Sequence, residues 1–231
     1  MTLEELLKDS PRLHRIGSEP ISYRLADRAL LFIDQTVNEN SQTLETGAGI
    51  STILFAIKKA NHTCIVPDPD LVSRISSYCA RMMVSVGRID FRIDKSERTL
   101  PVLPIDQLDL VLIDGSHAFP TPFIDWYYTA DRLRVGGMMM IDDTQLWTGH
   151  ALKKFLIQEP EWELVEDVSA RTAIFVKQKE YNHEKWWGQQ AYVVQNSKWL
   201  IRASEVRQAL EMLGQGEFGK LIEKVNARIR K

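Results

Sequence analysis

The sequence predicts an α/β fold in which a mainly parallel, seven-stranded sheet carries helices on both faces. Three observations predict it. Short runs rich in Val, Ile and Leu recur seven times, most of them are separated by segments with helical spacing, and the last two are too close for a crossover helix. Strand, helix, strand repeated along a chain requires crossovers, which make neighbouring strands parallel and cover both faces with helices.

Ahead of the sheet, ISYRLADRALLFIDQTVNEN places Leu25, Ala29, Phe32 and Ile33 on one helical face, packed over the sheet's end. Strands are expected at Thr43–Glu45, Thr63–Val66, Asp90–Ile93, Leu108–Ile113, Met138–Ile141, Trp162–Val165 and Thr172–Val176. Helices are expected at Ile50–Lys59, Asp70–Val84, Pro122–Leu133 and Gly149–Gln158. The almost wholly apolar VLI and MMMI runs suit the doubly covered middle of the sheet. Glu166 to Arg171 leaves room only for an antiparallel hairpin at one edge. Next come the aromatic-rich EYNHEKWWGQQAYVV and a helical tail with an apolar stripe of Phe218, Leu221, Ile222, Val225 and Ile229. The stripe docks on its own domain or, alternatively, joins two copies as a homodimer through the C-terminal helices. The expected organisation is a helical N-terminal flank over residues 1–40, the sheet domain over 41–180, and an aromatic loop with a C-terminal helical extension over 181–231.

Composition narrows the function. A chain of 231 residues, 44% hydrophobic and 26% charged, can bury one substantial core. No apolar run approaches the ~20 residues of a membrane helix. The start, MTLEELLKDSPRLHRI, is acidic and amphipathic where a signal peptide is basic and then apolar, so a cytoplasmic protein without membrane contact is expected. Cys64 and Cys79 form no metal-ligand spacing and read as small buried residues. A net charge of −2 supplies no field for a long nucleic acid, which is not expected as a partner.

The stretch SQTLETGAGISTILFA starts as a buried strand and ends as a helix, with Gly47 and Gly49 at the joint. In an open parallel sheet, ligands bind beyond the carboxyl ends of the strands, and glycine lets the backbone approach them. A P-loop would need Gly-Lys-Ser/Thr, but no lysine occurs before Lys58, and a dinucleotide turn wants a third glycine where Thr52 stands. Glu45, at the strand's end, would repel a pyrophosphate and attract a ligand carrying an ammonium and a sulfonium.

LETGAGIST resembles the first motif of the class I S-adenosylmethionine-dependent methyltransferases. VLIDGSHAF resembles the strand-four segment of their small-molecule O-methyltransferase branch, and LRVGGMMMIDDT the Gly-Gly turn into strand five. The resemblance covers about residues 40 to 180 and implies a Rossmann-like fold with S-adenosylmethionine as cofactor. By that resemblance Glu45, Thr46, Gly47, Ala48, Gly49 and the Ser51–Thr52 helix start surround the cofactor's methionine half, and Ser96 contacts adenine. Ser96 also reads as a helix N-cap. Many relatives place an acid for the ribose at the end of strand two, where this chain has Val66; Asp68, two residues on, either reaches the ribose or caps the following helix.

Asp114, Asp142 and Asp143 end adjacent strands at the rim of the glycine turn. Carboxylates gathered there repel one another unless a cation lies between them, and oxygen ligation suits Mg²⁺ or another divalent cation. The resemblance implies the same, with Asp114 also beside the cofactor; the alternative is that Asp142 or Asp143 caps the next helix. His117, three residues past Asp114, is the candidate general base, with Asp114 as its catalytic companion, whereas His14, His62, His150 and His183 lack comparable neighbours. Phe119, Phe123, Trp126, Tyr127 and Tyr128 either line an acceptor pocket or face the core. The expected function is methyl transfer to a small-molecule acceptor, on a hydroxyl oxygen, assisted by a divalent metal. Alternatives are a metal-independent methyltransferase and a non-catalytic cofactor-binding module.

Overall fold

The computed structural model describes residues 1–217 and 219. The stripe of Phe218, Leu221, Ile222, Val225 and Ile229, with the self-association ascribed to it, lies outside the described residues. The chain divides into two compact units, residues 1–183 and a second starting at Glu184.

The first unit opens with α1 (Leu3–Lys8), a short hairpin of β1 (His14–Ile16) and β2 (Glu19–Ile21), and α2 (Asp27–Thr36). The hairpin is not among the predicted elements. Helix α2 buries Ala29, Leu30 and Ile33, as its spacing predicts. Then come β3 (Gln42–Thr46), α3 (Ile50–Ile57), β4 (Asn61–Ile65), α4 (Pro69–Arg81), β5 (Ile89–Arg92), α5 (Ser96–Thr99), β6 (Leu108–Ile113), α6 (Thr121–Thr129), β7 (Leu133–Ile141), α7 (Trp147–Gln158), β8 (Trp162–Val168) and β9 (Thr172–Lys177).

Seven strands form one sheet in the order β5-β4-β3-β6-β7-β9-β8. The pairs β3·β4, β3·β6, β4·β5 and β6·β7 are parallel. Strand β9 runs antiparallel to both β7 and β8, so the chain ends the sheet in the expected edge hairpin. Strand β6 matches its predicted bounds because its apolar run is nearly continuous. The helix expected to reach Leu133 stops at Thr129 instead. Leu133 pairs with Leu108 as the first residue of β7, and the register slips before Leu110 meets Met138, accommodating the Gly136–Gly137 turn within the strand.

Helices α1 to α4 pack on one face over a core that includes Leu30, Ile33, Ile53, Phe55, Leu110, Leu112, Met140 and Ile174. Alternation along the strands turns Leu44, Val111 and Met139 to the other face, where α5, α6 and α7 contact one another in succession. Cys64 and Cys79 are buried free thiols. The second unit contains α8 (Ala191–Gly214), which buries none of its residues. Among the described residues no helix is long and apolar enough to cross a membrane.

Candidate active site

The chain steps outward from β3 through β4 to β5, then returns to lay β6 on the other side of β3. Loops leaving the carboxyl ends of β3 and β6 therefore diverge and open a crevice. A cavity of about 750 Å³ lies there, lined by the turns after β3, β4, β6 and β7 and by the segment around His14 and Tyr23.

Gly47 has φ +93°, and a Cβ on it would lie 2.1 Å from the carbonyl oxygen of Asp114. Glycine is required there because the β3 and β6 turns touch through their backbones. Gly49 needs no such freedom: its φ is 177°, ordinary extended backbone. Thr46, Gly47, Ala48, Gly49, Ser51, Asp68, Ser96 and Asp114 all line the cavity.

Glu45 and Thr52 stand just behind the residues that line it. Glu45 is only 1% exposed, on the α3 side of the sheet. Ser51 Oγ donates to it at 2.7 Å and the Thr52 hydroxyl donates to its other oxygen. Thr52 in turn accepts the Gly49 N–H at 2.9 Å. His62 Nε2 is 3.1 Å from Glu45, off the hydrogen-bond direction. The His62 ring is fixed by Thr43 Oγ1 at 2.8 Å and by stacking on Phe55 at 4.0 Å. The carboxylate thus locks the glycine turn from behind. Burial, reinforced by Glu45, pushes the Cys64 thiol well above its ordinary range. Glu45, His62 and Cys64 bring possible ligand atoms within 4.8 Å of one another. The carboxylate of this set is already hydrogen-bonded by Ser51 and Thr52.

Asp68 is both a cap and a cavity residue. Its Oδ1 accepts the Asp70 N–H at 2.9 Å at the start of α4, and its Oδ2 lies 3.1 Å from Arg74 Nη2. Ser96 is the first residue of α5, with Lys95 at the cap position, so the N-cap reading fails.

Across the cavity, Asp143 occupies the left-handed region at φ +52°, which aspartate tolerates better than most residues. A Cβ on Gly149 would stand 2.7 Å from its carbonyl oxygen, so α7 packs directly against this strained turn. Asp143 Oδ2 lies 3.0 Å from His117 Nε2, and Oδ1 lies 3.2 Å from Arg171 Nη2 and 2.6 Å from Gln145 Nε2. The His117 carbonyl accepts the Thr148 hydroxyl at 2.5 Å, which anchors its loop to α7. Asp142 accepts the Thr172 hydroxyl. Neither aspartate caps α7, whose cap position is Leu146. Burial and then the carboxylates of Asp142, Glu45 and Asp143 raise Asp114 well above the carboxylate range; burial also raises Asp142. Asp114, Asp142 and Asp143 share one rim, but they do not form a group whose ligand atoms all lie within 4.8 Å of one another. Asp143 is already committed to His117 and Arg171.

Residues 44–144, from β3 through the turn after β7, match a family model described as a methyltransferase domain. Over this segment the chain carries a methyltransferase domain. The O-methyltransferase TomG of Streptomyces achromogenes, involved in tomaymycin synthesis and solved with S-adenosylmethionine, superposes with a TM-score of 0.60 at 14% identity, covering 76% of this chain and 90% of its own. A Staphylococcus aureus protein assigned as a caffeoyl-CoA O-methyltransferase gives 0.60 at 16% identity, covering 77% and 92%. An rRNA methylase from Streptococcus thermophilus gives 0.51 at 14%, covering 69% and 99%. At such identities the likeness is one of fold. No curated protein sequence matches the chain.

The fold also brings to the cavity residues outside the sequence motifs. His14, Tyr23, Arg24 and Arg171 all line it. None of the aromatic residues Phe119, Phe123, Trp126, Tyr127 and Tyr128 does. Trp126 packs in the interior against Phe155 and Tyr181. Asp125, one residue before it, is fully buried without a well-formed hydrogen bond, although the Ser96 and Thr46 hydroxyls lie beside it. Burial raises its pKa to about 6. A lone Asp within an apolar helical repeat was the available signal.

Proposed function

We propose that this chain is a class I S-adenosylmethionine-dependent methyltransferase that methylates a hydroxyl oxygen of a small molecule, with His117 as general base and Asp143 as the group that orients it. The observation that carries the reading is the 3.0 Å approach of His117 Nε2 to Asp143 on the cavity rim facing the glycine turn. S-adenosylmethionine fits the site by its glycine turn, its volume and its acidic rim, with Asp114 and Asp142 raised in pKa and so disposed toward a cation. When bound it supplies an electrophilic methyl group. Thr46, Gly47, Ala48, Gly49 and Ser51 would hold its methionine half, Ser96 its adenine, and Asp114 the positive charge. Methyl transfer needs an acceptor oxygen about 3 Å from the methyl carbon and free of its proton. With the Asp143 carboxylate 3.0 Å from His117 Nε2, Nδ1 would take the acceptor's proton and Asp143 would stabilise the resulting imidazolium, while Arg171, 3.2 Å from the same carboxylate, holds Asp143 in place.

The near-neutral chain and the O-methyltransferase neighbours support a small acceptor. The two buried free thiols agree with a cytoplasmic setting. A metal-assisted reading keeps one favouring observation, the raised pair Asp114 and Asp142, which a divalent ion would relieve as a cationic ligand does; no step here passes through it. The test is incubation of the protein with methyl-labelled S-adenosylmethionine and a small-molecule extract, followed by mass spectrometry. Label on the oxygen of a small molecule is expected. Label only on RNA or on nitrogen would overturn the acceptor assignment, and binding without transfer would leave the non-catalytic module.

A further inference from the structure

One requirement of a nucleoside ligand is unmet by the sheet. Val66, at the end of β4, stands where many relatives carry the acid for the ribose hydroxyls, and it is an apolar residue 2% exposed. Asp68, the next acid, has both oxygens engaged, one by the Asp70 N–H and one by Arg74.

The polar group facing this gap comes from outside the sheet. His14, on β1, lines the cavity together with Gly49, Val66 and Asp68. Its Nε2 lies 3.4 Å from where a Cβ on Gly49 would stand, so the imidazole lies over the glycine turn. Two contacts build it in. Tyr23 meets the ring edge-on with centroids 5.4 Å apart. Arg74 donates from Nε to the Leu13 carbonyl at 2.7 Å while its Nη2 reaches Asp68 at 3.1 Å. A single guanidinium therefore ties the residue beside His14 to the acid nearest the gap.

We propose that His14, held in place by Arg74 and Tyr23, hydrogen-bonds the ribose hydroxyls of the cofactor in place of the carboxylate missing from the end of β4. Each hydroxyl both donates and accepts, and a neutral imidazole offers one nitrogen of each kind, whereas imidazolium only donates. Burial and the neighbouring Arg74 charge lower the His14 pKa, with Asp68 opposing them, which favours the neutral ring. The proposal rests on the S-adenosylmethionine reading of the cavity.

The test is calorimetric titration of wild type, His14→Ala and His14→Phe with S-adenosylhomocysteine and its 2′-deoxy and 3′-deoxy analogues. His14→Phe retains a ring against Tyr23 and removes both nitrogens, so it serves if the alanine variant fails to fold. Wild type is expected to prefer the parent over at least one deoxy analogue by about tenfold, the worth of one neutral hydrogen bond. Both variants should bind the parent about tenfold more weakly and lose that preference. A merely structural role would weaken all ligands in proportion, so an unchanged preference in the variants overturns the proposal whatever the absolute affinity. Wild type that binds no S-adenosylhomocysteine overturns the cofactor reading itself, and the first titration distinguishes that outcome.

Discussion

Gly47 passes so near Asp114 that a Cβ at position 47 would stand 2.1 Å from the Asp114 carbonyl oxygen. The constraint comes from the neighbouring backbone, and positive φ adds to it. Gly47→Ala should therefore lower stability by more than about 2 kcal/mol and weaken S-adenosylhomocysteine binding as the β3 and β6 turns separate. Urea denaturation and calorimetry together check this; unchanged stability with abolished binding would mean that the side chain blocks the ligand alone.

Glu45 has the opposite signature. It receives the Ser51 and Thr52 hydroxyls and faces His62 in a buried site, so Glu45→Ala should cost about 1–3 kcal/mol for each hydroxyl left without its acceptor. Glu45→Gln keeps the shape and should cost less. Should Glu45→Gln melt like wild type yet lose cofactor affinity, a direct contact with the cofactor would be the better explanation.

Asp125 carries a pH dependence of definite sign. Burial raises its pKa from 3.8 to about 6, so the folded state binds the proton more tightly than the unfolded chain. Its ionised form destabilises the fold above pH 6, and that penalty is relieved as pH falls from about 6 toward 4. The shift corresponds to about 3 kcal/mol between the protonation states. Asp125→Asn should thus stabilise the protein at pH 7, by up to that amount, and remove this contribution to the stability gain between pH 6 and 4. Denaturant midpoints measured across that range would show it; a destabilised Asn variant at pH 7 would mean the carboxylate is better paired than its geometry indicates.

The sheet and the glycine turn were legible because their signals are local. The apolar run of β6 marks a doubly covered strand, and Gly47 is the type its turn demands. The direction of Glu45 was not legible, since a strand-end carboxylate can face either side of a sheet, and the pairing of Glu45 with Cys64 that sets the side is a tertiary fact. The partners of Asp143 were hidden for a similar reason: Arg171 lies in the β8–β9 turn, which the antiparallel return of β9 along β7 carries to the cavity. His14 belongs to a hairpin of three-residue strands, too short for a periodic signal. The overlong helix before Leu133 reflects apolar spacing that continues across a turn into β7.

The most direct measurement of the central claim is the pH profile of methyl transfer in the presence of EDTA for wild type, His117→Ala and Asp143→Asn. On the proposed reading Asp143 orients His117 across the 3.0 Å between them, so either substitution should slow transfer by about 10²–10⁴-fold, and the double variant should be little slower than His117→Ala. Wild-type activity should persist in chelator and rise with pH along a limb that His117→Ala lacks. Activity that vanishes in EDTA and returns with Mg²⁺, or a limb that survives in His117→Ala, would contradict the account.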